Sequence, residues 1–98
     1  MPRTPRRIRP TAAFRRDFKR EDRGRYCGRL ARLLRPVVEA LAVDDPLPPA
    51  NRDHPLSGDW ADCRECHIRP NLLLIYRKPS RDVLDLVRLG SHSTLFGG

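Results

Sequence analysis

No apolar run in this chain approaches the ~20 residues that a membrane-spanning helix needs, which excludes a helical transmembrane protein. The basic stretch from Met1 to Pro10 has no apolar segment behind it, so export by an ordinary signal peptide is not expected. Cysteine is scarce and odd in number. Three thiols cannot all pair within one chain, which fits a reducing compartment better than a disulfide scaffold. Methionine occurs only as Met1, and internal repeats are absent. Acid is also in short supply: 12 Asp and Glu against 20 Lys and Arg leave a net charge of +8. Lysine is scarcer still, since 18 of those 20 cations are arginine, the side chain suited to bidentate phosphate contacts. What remains is 98 residues, 39% hydrophobic, enough for a single domain spanning residues 1–98 with one modest core. A soluble, cytoplasmic, cationic domain is expected.

The positive charge is concentrated. Residues 1–35 carry 13 Arg and Lys against 3 Asp and Glu, whereas the remainder carries 7 against 9. A cationic first third on a nearly neutral body suggests a polyanion partner, either nucleic acid or an acidic protein. The plainer alternative is a solvated helical face.

Local grammar divides the chain in two. Residues 1–10, rich in Pro and Arg, read as a flexible arm or, around Ile8, a short edge strand at most. Thr11 is positioned to cap a helix from Ala12 to about Arg23, with Phe14 and Phe18 on one face and Gly24 as its stop. A second helical pattern runs through Tyr26, Leu30, Leu33, Leu34, Val37, Val38 and Leu41. Pro36 interrupts it, at a cost of ~3 kcal/mol in a helix interior, so a kink or restart is expected there. Residues 44–59, with four prolines, read as a loop. Strands are then expected at Asp62–Ile68, Leu72–Tyr76 and Val83–Leu89, joined by turns at Arg69-Pro70-Asn71 and Lys78-Pro79-Ser80. Three short strands with tight connections make an antiparallel meander. Helices that precede the sheet indicate an α+β fold, an N-terminal helical hairpin packed on a small, mainly antiparallel sheet.

Cys63-Arg64-Glu65-Cys66-His67 matches the signature for covalent haem attachment. On a strand, however, residues three apart point to opposite faces, so Cys63 and Cys66 could not both reach one porphyrin. A zinc site from Cys63, Cys66, His67 and His54 meets the same objection. Small, partly buried cysteines are the expected outcome, with no metal and no cofactor. Alternation puts Cys63, Glu65 and His67 on one face of the first meander strand, and Leu84, Leu86 and Arg88 together on the last. A cleft at one end of the sheet could collect His54, Glu65, His67, Arg88 and His92. Cleaving RNA through its own 2′-hydroxyl needs a base for that hydroxyl, an acid for the departing 5′-oxygen and a cation for the phosphorane charge. Imidazoles and a guanidinium supply these without metal. Three unrelated surface histidines are the competing reading.

Longer motifs bear on that choice. Leu47-Pro48-Pro49, Arg52-Asp53-His54-Pro55-Leu56-Ser57-Gly58-Asp59-Trp60, Arg64-Glu65-Cys66-His67-Ile68, Leu73-Leu74-Ile75-Tyr76 and the tail Arg88 to Phe96 resemble the YafQ-type toxins. These belong to the RelE/ParE superfamily of bacterial toxin–antitoxin systems. The resemblance is dense over the last fifty or so residues, and Phe14-Arg15-Arg16-Asp17-Phe18-Lys19-Arg20 matches in pattern. It implies a RelE-like fold and a ribosome-dependent endoribonuclease that cuts messenger RNA in the A site by 2′-hydroxyl attack. His54, His67 and His92 match the family's histidines, Glu65 its strand acid, and Phe96 its C-terminal aromatic. His92 with His54 or His67 would then transfer protons, Arg88 would meet phosphate charge, and Phe96 would hold or stack a base. Arg15, Arg16, Lys19 and Arg20 on the basic helices would grip ribosomal RNA. A small acidic antitoxin would complete a hetero-oligomer. One departure is plain: the family commonly carries Glu-Pro-Asp-Trp where this chain has Arg69-Pro70-Asn71-Leu72. Asn71 cannot act as a base, although it could orient a phosphate or a histidine. Two competing readings stay open, a non-catalytic module of the same fold (a gyrase inhibitor or inactive toxin) and a general nucleic-acid binder.

Overall fold

The computed structural model describes residues 4–97, so the first three residues of the N-terminal arm lie outside the described residues. Strand β1 (Arg7–Pro10) leads into helix α1 (Ala12–Arg23), and a turn then connects to α2 (Leu30–Ala42). A two-residue strand β2 (His54–Pro55) precedes the meander β3 (Arg64–Arg69), β4 (Leu72–Ser80) and β5 (Val83–Gly90), and a short helix α3 (His92–Phe96) closes the chain. The five strands lie in the order β1-β5-β4-β3-β2. Only β1 runs parallel to its neighbour, while the other pairings are antiparallel. The fold is thus the expected helical hairpin on a mainly antiparallel sheet, with the arm recruited as an edge strand.

Thr11 caps α1 by accepting a hydrogen bond from the Phe14 N–H at 3.0 Å. Phe14 and Tyr26 join Leu30, Leu34, Val37 and Leu41 of α2 in a core closed from below by Cys66, Leu72, Leu74, Tyr76, Leu84 and Leu89. The Leu72–Tyr76 run is continuously apolar because both sheet faces are covered there: Leu73 and Ile75 belong to a second cluster with Cys63 and Leu95, on the face away from the helices. Cys63 and Cys66 therefore sit on opposite sides of the sheet, and neither a shared porphyrin nor a shared zinc is possible.

Two expectations need correction. Of the kink or restart expected at Pro36, the restart does not occur: α2 runs through Pro36 as one helix. Both Pro36 and Arg32, whose carbonyl loses its helical donor, are exposed. Burial of Leu30, Leu34, Val37 and Leu41 on the opposite side carries the helix through. The second correction concerns Arg88. A register shift between Ile75 and Tyr76 leaves Val87 as an extra residue on β5, so Tyr76 faces Leu86 while Ile75 faces Arg88. Strict alternation would have put Arg88 with Leu84 and Leu86; the bulge moves it to the row of Ile75, and Leu89 takes the core position.

Candidate active site

The face opposite the helices carries the candidate chemistry. Residue His54 is paired with Glu65, Glu65 with Ile75 and Ile75 with Arg88, a single register row across four strands. The adjacent row runs from His67 through Leu73 to Gly90, two residues before His92. At the usual strand spacing the first row spans about 14 Å and the second about 10 Å.

His54 is held by its loop. The neighbouring Asp53 carboxylate accepts hydrogen bonds from the buried Tyr76 hydroxyl at 2.6 Å and from Arg64 at 3.3 Å. Burial and that carboxylate together raise the Tyr76 hydroxyl above its ordinary pKa. Arg52, just before it, adopts a left-handed backbone with φ 48°, a conformation non-glycine residues rarely take. Within this frame His54 Nε2 lies 3.1 Å from Glu65 Oε2, and its Nδ1 lies 3.0 Å from the Pro55 carbonyl oxygen. Glu65 is only 5% exposed, and its second oxygen, Oε1, is buried with no hydrogen-bond partner. His67 completes the group, with one ligand atom from each of the three residues lying within 4.8 Å of the others. Asn51 donates to the His67 carbonyl oxygen at 2.8 Å and ties the Pro-rich loop to β3.

α3 packs against β5. Ser91 caps it by accepting from the Thr94 N–H at 3.1 Å. His92 and Phe96, four apart on its surface, have ring centroids 5.0 Å apart, and Phe96 meets Trp60 edge-on at 6.0 Å. Leu95 anchors the helix in the Leu73–Ile75 cluster, so His92 stands on the same face as His54 and His67.

Arg88 does not stand free. Its guanidinium donates to Asp17 of α1 at 2.7 and 3.2 Å. Asp17 also accepts from the Leu89 N–H at 2.9 Å and from Arg20 at 2.9 Å, while Arg20 donates to the Leu89 carbonyl oxygen at 2.9 Å. Strand β1 ends opposite Leu86, and these two side chains satisfy the β5 edge where a further strand residue would have paired. Burial of Asp17 raises its carboxyl, but the hydrogen bonds from Arg88, Leu89 and Arg20 outweigh it and hold the group below the usual carboxylate range.

The remaining expected residues fall elsewhere. Arg20, expected among the RNA contacts, is engaged in this edge cap. Arg15, Arg16 and Lys19 are exposed and form no ion pair among the described residues. Asn71 lies at the β3–β4 turn, where it lines a groove with Arg25, Tyr26 and Arg29 rather than the one beside His67. Asp17, Asp53 and Trp60 were not singled out as site residues by sequence reasoning. Asp17 had a usable signal, a lone acid within the basic run 15–20; the other two had none.

Chemically, two imidazoles beside a buried carboxylate can hold and pass a proton. The same three side chains, with an unmet carboxylate oxygen among them, also suit a divalent cation of the zinc or copper kind. The fold and the site thus define a small basic α+β domain with an imidazole–carboxylate cluster on the sheet face away from α1 and α2. The family model for the bacterial toxin of type II toxin–antitoxin systems, YafQ, matches residues 6–97, and the chain belongs to that family. The mRNA interferase toxin YafQ of Escherichia coli K12 is 42% identical over 52 residues, 53% of this chain and 55% of that protein. The match therefore spans about half the length of that relative. Among solved structures, a metal-bound toxin from Helicobacter pylori is 44% identical with a TM-score of 0.82, over 95% of this chain and 100% of that one. YafQ in the E. coli DinJ–YafQ toxin–antitoxin complex is 30% identical with a TM-score of 0.79, over 96% of this chain and 100% of that one.

Proposed function

We propose that this chain is a ribosome-dependent endoribonuclease that cuts messenger RNA in the A site and is held in check by a cognate antitoxin. The carrying observation is the shared face of His54, Glu65, His67 and His92, with Arg88 at the end of the first row. A base takes the proton from a 2′-hydroxyl. The 2′-oxygen then bonds to the adjacent phosphorus through a pentacoordinate phosphorane, and the bond to the 5′-oxygen breaks. That oxygen takes a proton from an acid, and the products are a 2′,3′-cyclic phosphate and a 5′-hydroxyl end. His54, with Nε2 beside the buried Glu65 carboxylate and Nδ1 beside the Pro55 carbonyl oxygen, is assigned as the acid. His92, exposed on α3, is assigned as the base, with His67 beside the reacting atoms. Arg88 is assigned to the developing phosphorane charge, for which it has to exchange its present partner Asp17. Phe96, tilted against His92 and edge-on to Trp60, is assigned to hold a base. Arg15, Arg16 and Lys19 contact ribosomal RNA. The proton transfers rest on imidazoles, since Asn71 carries no ionisable group.

Mapping RNA ends on programmed ribosomes tests this. The wild-type chain should leave 5′-hydroxyl ends within the A-site codon, and His92→Ala should lower the cleavage rate by about 10²–10⁴-fold with the fold intact. Unchanged cleavage by that variant overturns the assignment. A cation held by His54, Glu65 and His67 would supply Lewis acidity but occupy the imidazole lone pairs that the proton chemistry uses. Cleavage should accordingly persist in EDTA.

A further inference from the structure

The cations of the described residues fall into two populations. Arg6, Arg9, Arg20, Arg64, Arg77, Arg88 and Lys78 each lie within 2.6–3.3 Å of a carboxylate. The other described cations, Arg15, Arg16, Lys19, Arg32 and Arg35 among them, form no ion pair and are exposed, and four of this group are Arg25, Arg29, Arg52 and Arg69. These four are not scattered. Arg52 and Arg69 line a groove of about 480 Å³ with His67, and Arg25, Arg29 and Arg69 line a second, of about 410 Å³, on the other side of the β3–β4 turn. Arg69 and Pro70 belong to both grooves, and no carboxylate lines either. The arginines are partly fixed in place: Arg29 lies over the Tyr26 ring at 6.0 Å, and Arg69 donates to the Ile68 carbonyl oxygen at 3.2 Å.

We propose that this pair of grooves is a phosphate-backbone track for single-stranded RNA, running from His67 past Arg69 to Arg25 and Arg29 at the α1–α2 turn. Clefts lined by one sign of charge concentrate a counter-charged ligand, and guanidinium forks match phosphate oxygens. An exposed arginine without a carboxylate brings its full charge to that contact, whereas Arg64 or Arg77 would first have to leave a partner. The groove's charge is independent of the nuclease reading; its service to the substrate strand on leaving the reaction centre rests on that reading. RNA is favoured over an acidic peptide because the track begins at a residue of the candidate reaction centre.

The test measures binding of a twelve-nucleotide RNA, 2′-O-methylated throughout so that it cannot be cut, against salt. Arg25→Gln/Arg29→Gln is compared with Arg32→Gln/Arg35→Gln, which removes equal charge from α2 outside the track. Losing two single-strand phosphate contacts should flatten the slope of log K against log salt by about 1.4, roughly a 25-fold weakening at 0.1 M salt. The control pair should lose less than half of that. Equal losses in both pairs, or none in the first, overturn the track. So does a variant that keeps its RNA affinity but loses affinity for a polyglutamate peptide, which would assign the groove to an acidic protein. Because the probe cannot be cleaved, the two readings fail separately: active His92→Ala sinks the nuclease while the salt slope still judges the groove.

Discussion

Removing Asp17 should damage the stability of this protein severely. Its side chain is 4% exposed and accepts four hydrogen bonds, three from guanidinium groups and one from the Leu89 N–H. Breaking a buried ion pair by deleting one partner costs about 3–5 kcal/mol. Here Arg88 and Arg20 are 28% and 43% exposed and can rehydrate, so the lower end applies, about 3 kcal/mol for Asp17→Ala. In a chain of this size that lowers the melting temperature by roughly 12–24 °C. Asp17→Asn keeps the shape and one acceptor for Leu89, and should lose about 2 kcal/mol. The pH dependence gives a second readout. A carboxyl held below its ordinary value of 3.8 stabilises the fold above that pH, and the contribution disappears as pH falls through the lowered folded-state value. Urea titrations at pH 7 and pH 3 should therefore show a smaller gap between wild type and Asp17→Asn at the lower pH. If both variants unfold within 0.5 kcal/mol of wild type at neutral pH, the β5 edge cap carries no weight and Arg88 is held by something else.

The other predictions are local. Pro36→Ala restores a donor to the Arg32 carbonyl in a helix that already runs through this position, and should stabilise the chain by about 1–2 kcal/mol in urea after the gain in unfolded-state freedom is subtracted. A loss of stability would mean that α2 depends on the proline. Burial pushes the Cys66 thiol up to about 12 and raises that of Cys63, whereas Cys27 is exposed. A thiol reagent at pH 8 should thus modify one cysteine quickly in the native protein and the other two only on unfolding. Fast modification of all three would contradict the burial on the two sheet faces.

Some of this architecture could be read residue by residue. Thr11 and Gly24 bounded α1 because capping is a local interaction, and the alternation of Cys63, Glu65 and His67 held because β3 is regular up to His67. Pro36 misled because propensity counts the lost hydrogen bond and not the four leucine and valine side chains buried on the far side of the helix. His54–Pro55 read as loop because a two-residue strand has no periodicity; only its pairing with Glu65 and Arg64 makes it one. The helix at His92–Phe96 is five residues long, too short for a pattern.

Spacing alone determined the helical hairpin, the meander and the separation of Cys63 from Cys66, because each follows from periods of 3.6 or 2.0 along a local stretch of chain, and composition alone showed the concentration of arginine in the first third. Tertiary structure decided the rest. One bulge at Val87 moved Arg88 out of the row of Leu84 and Leu86 into that of Ile75, α1 supplied Asp17 to hold it, and pairing across the sheet brought His54 from a proline-rich loop to within 3.1 Å of a buried glutamate. Such partners lie eleven to seventy-one residues apart in the chain, and a local pattern carries no record of a contact that only chain reversal and packing create.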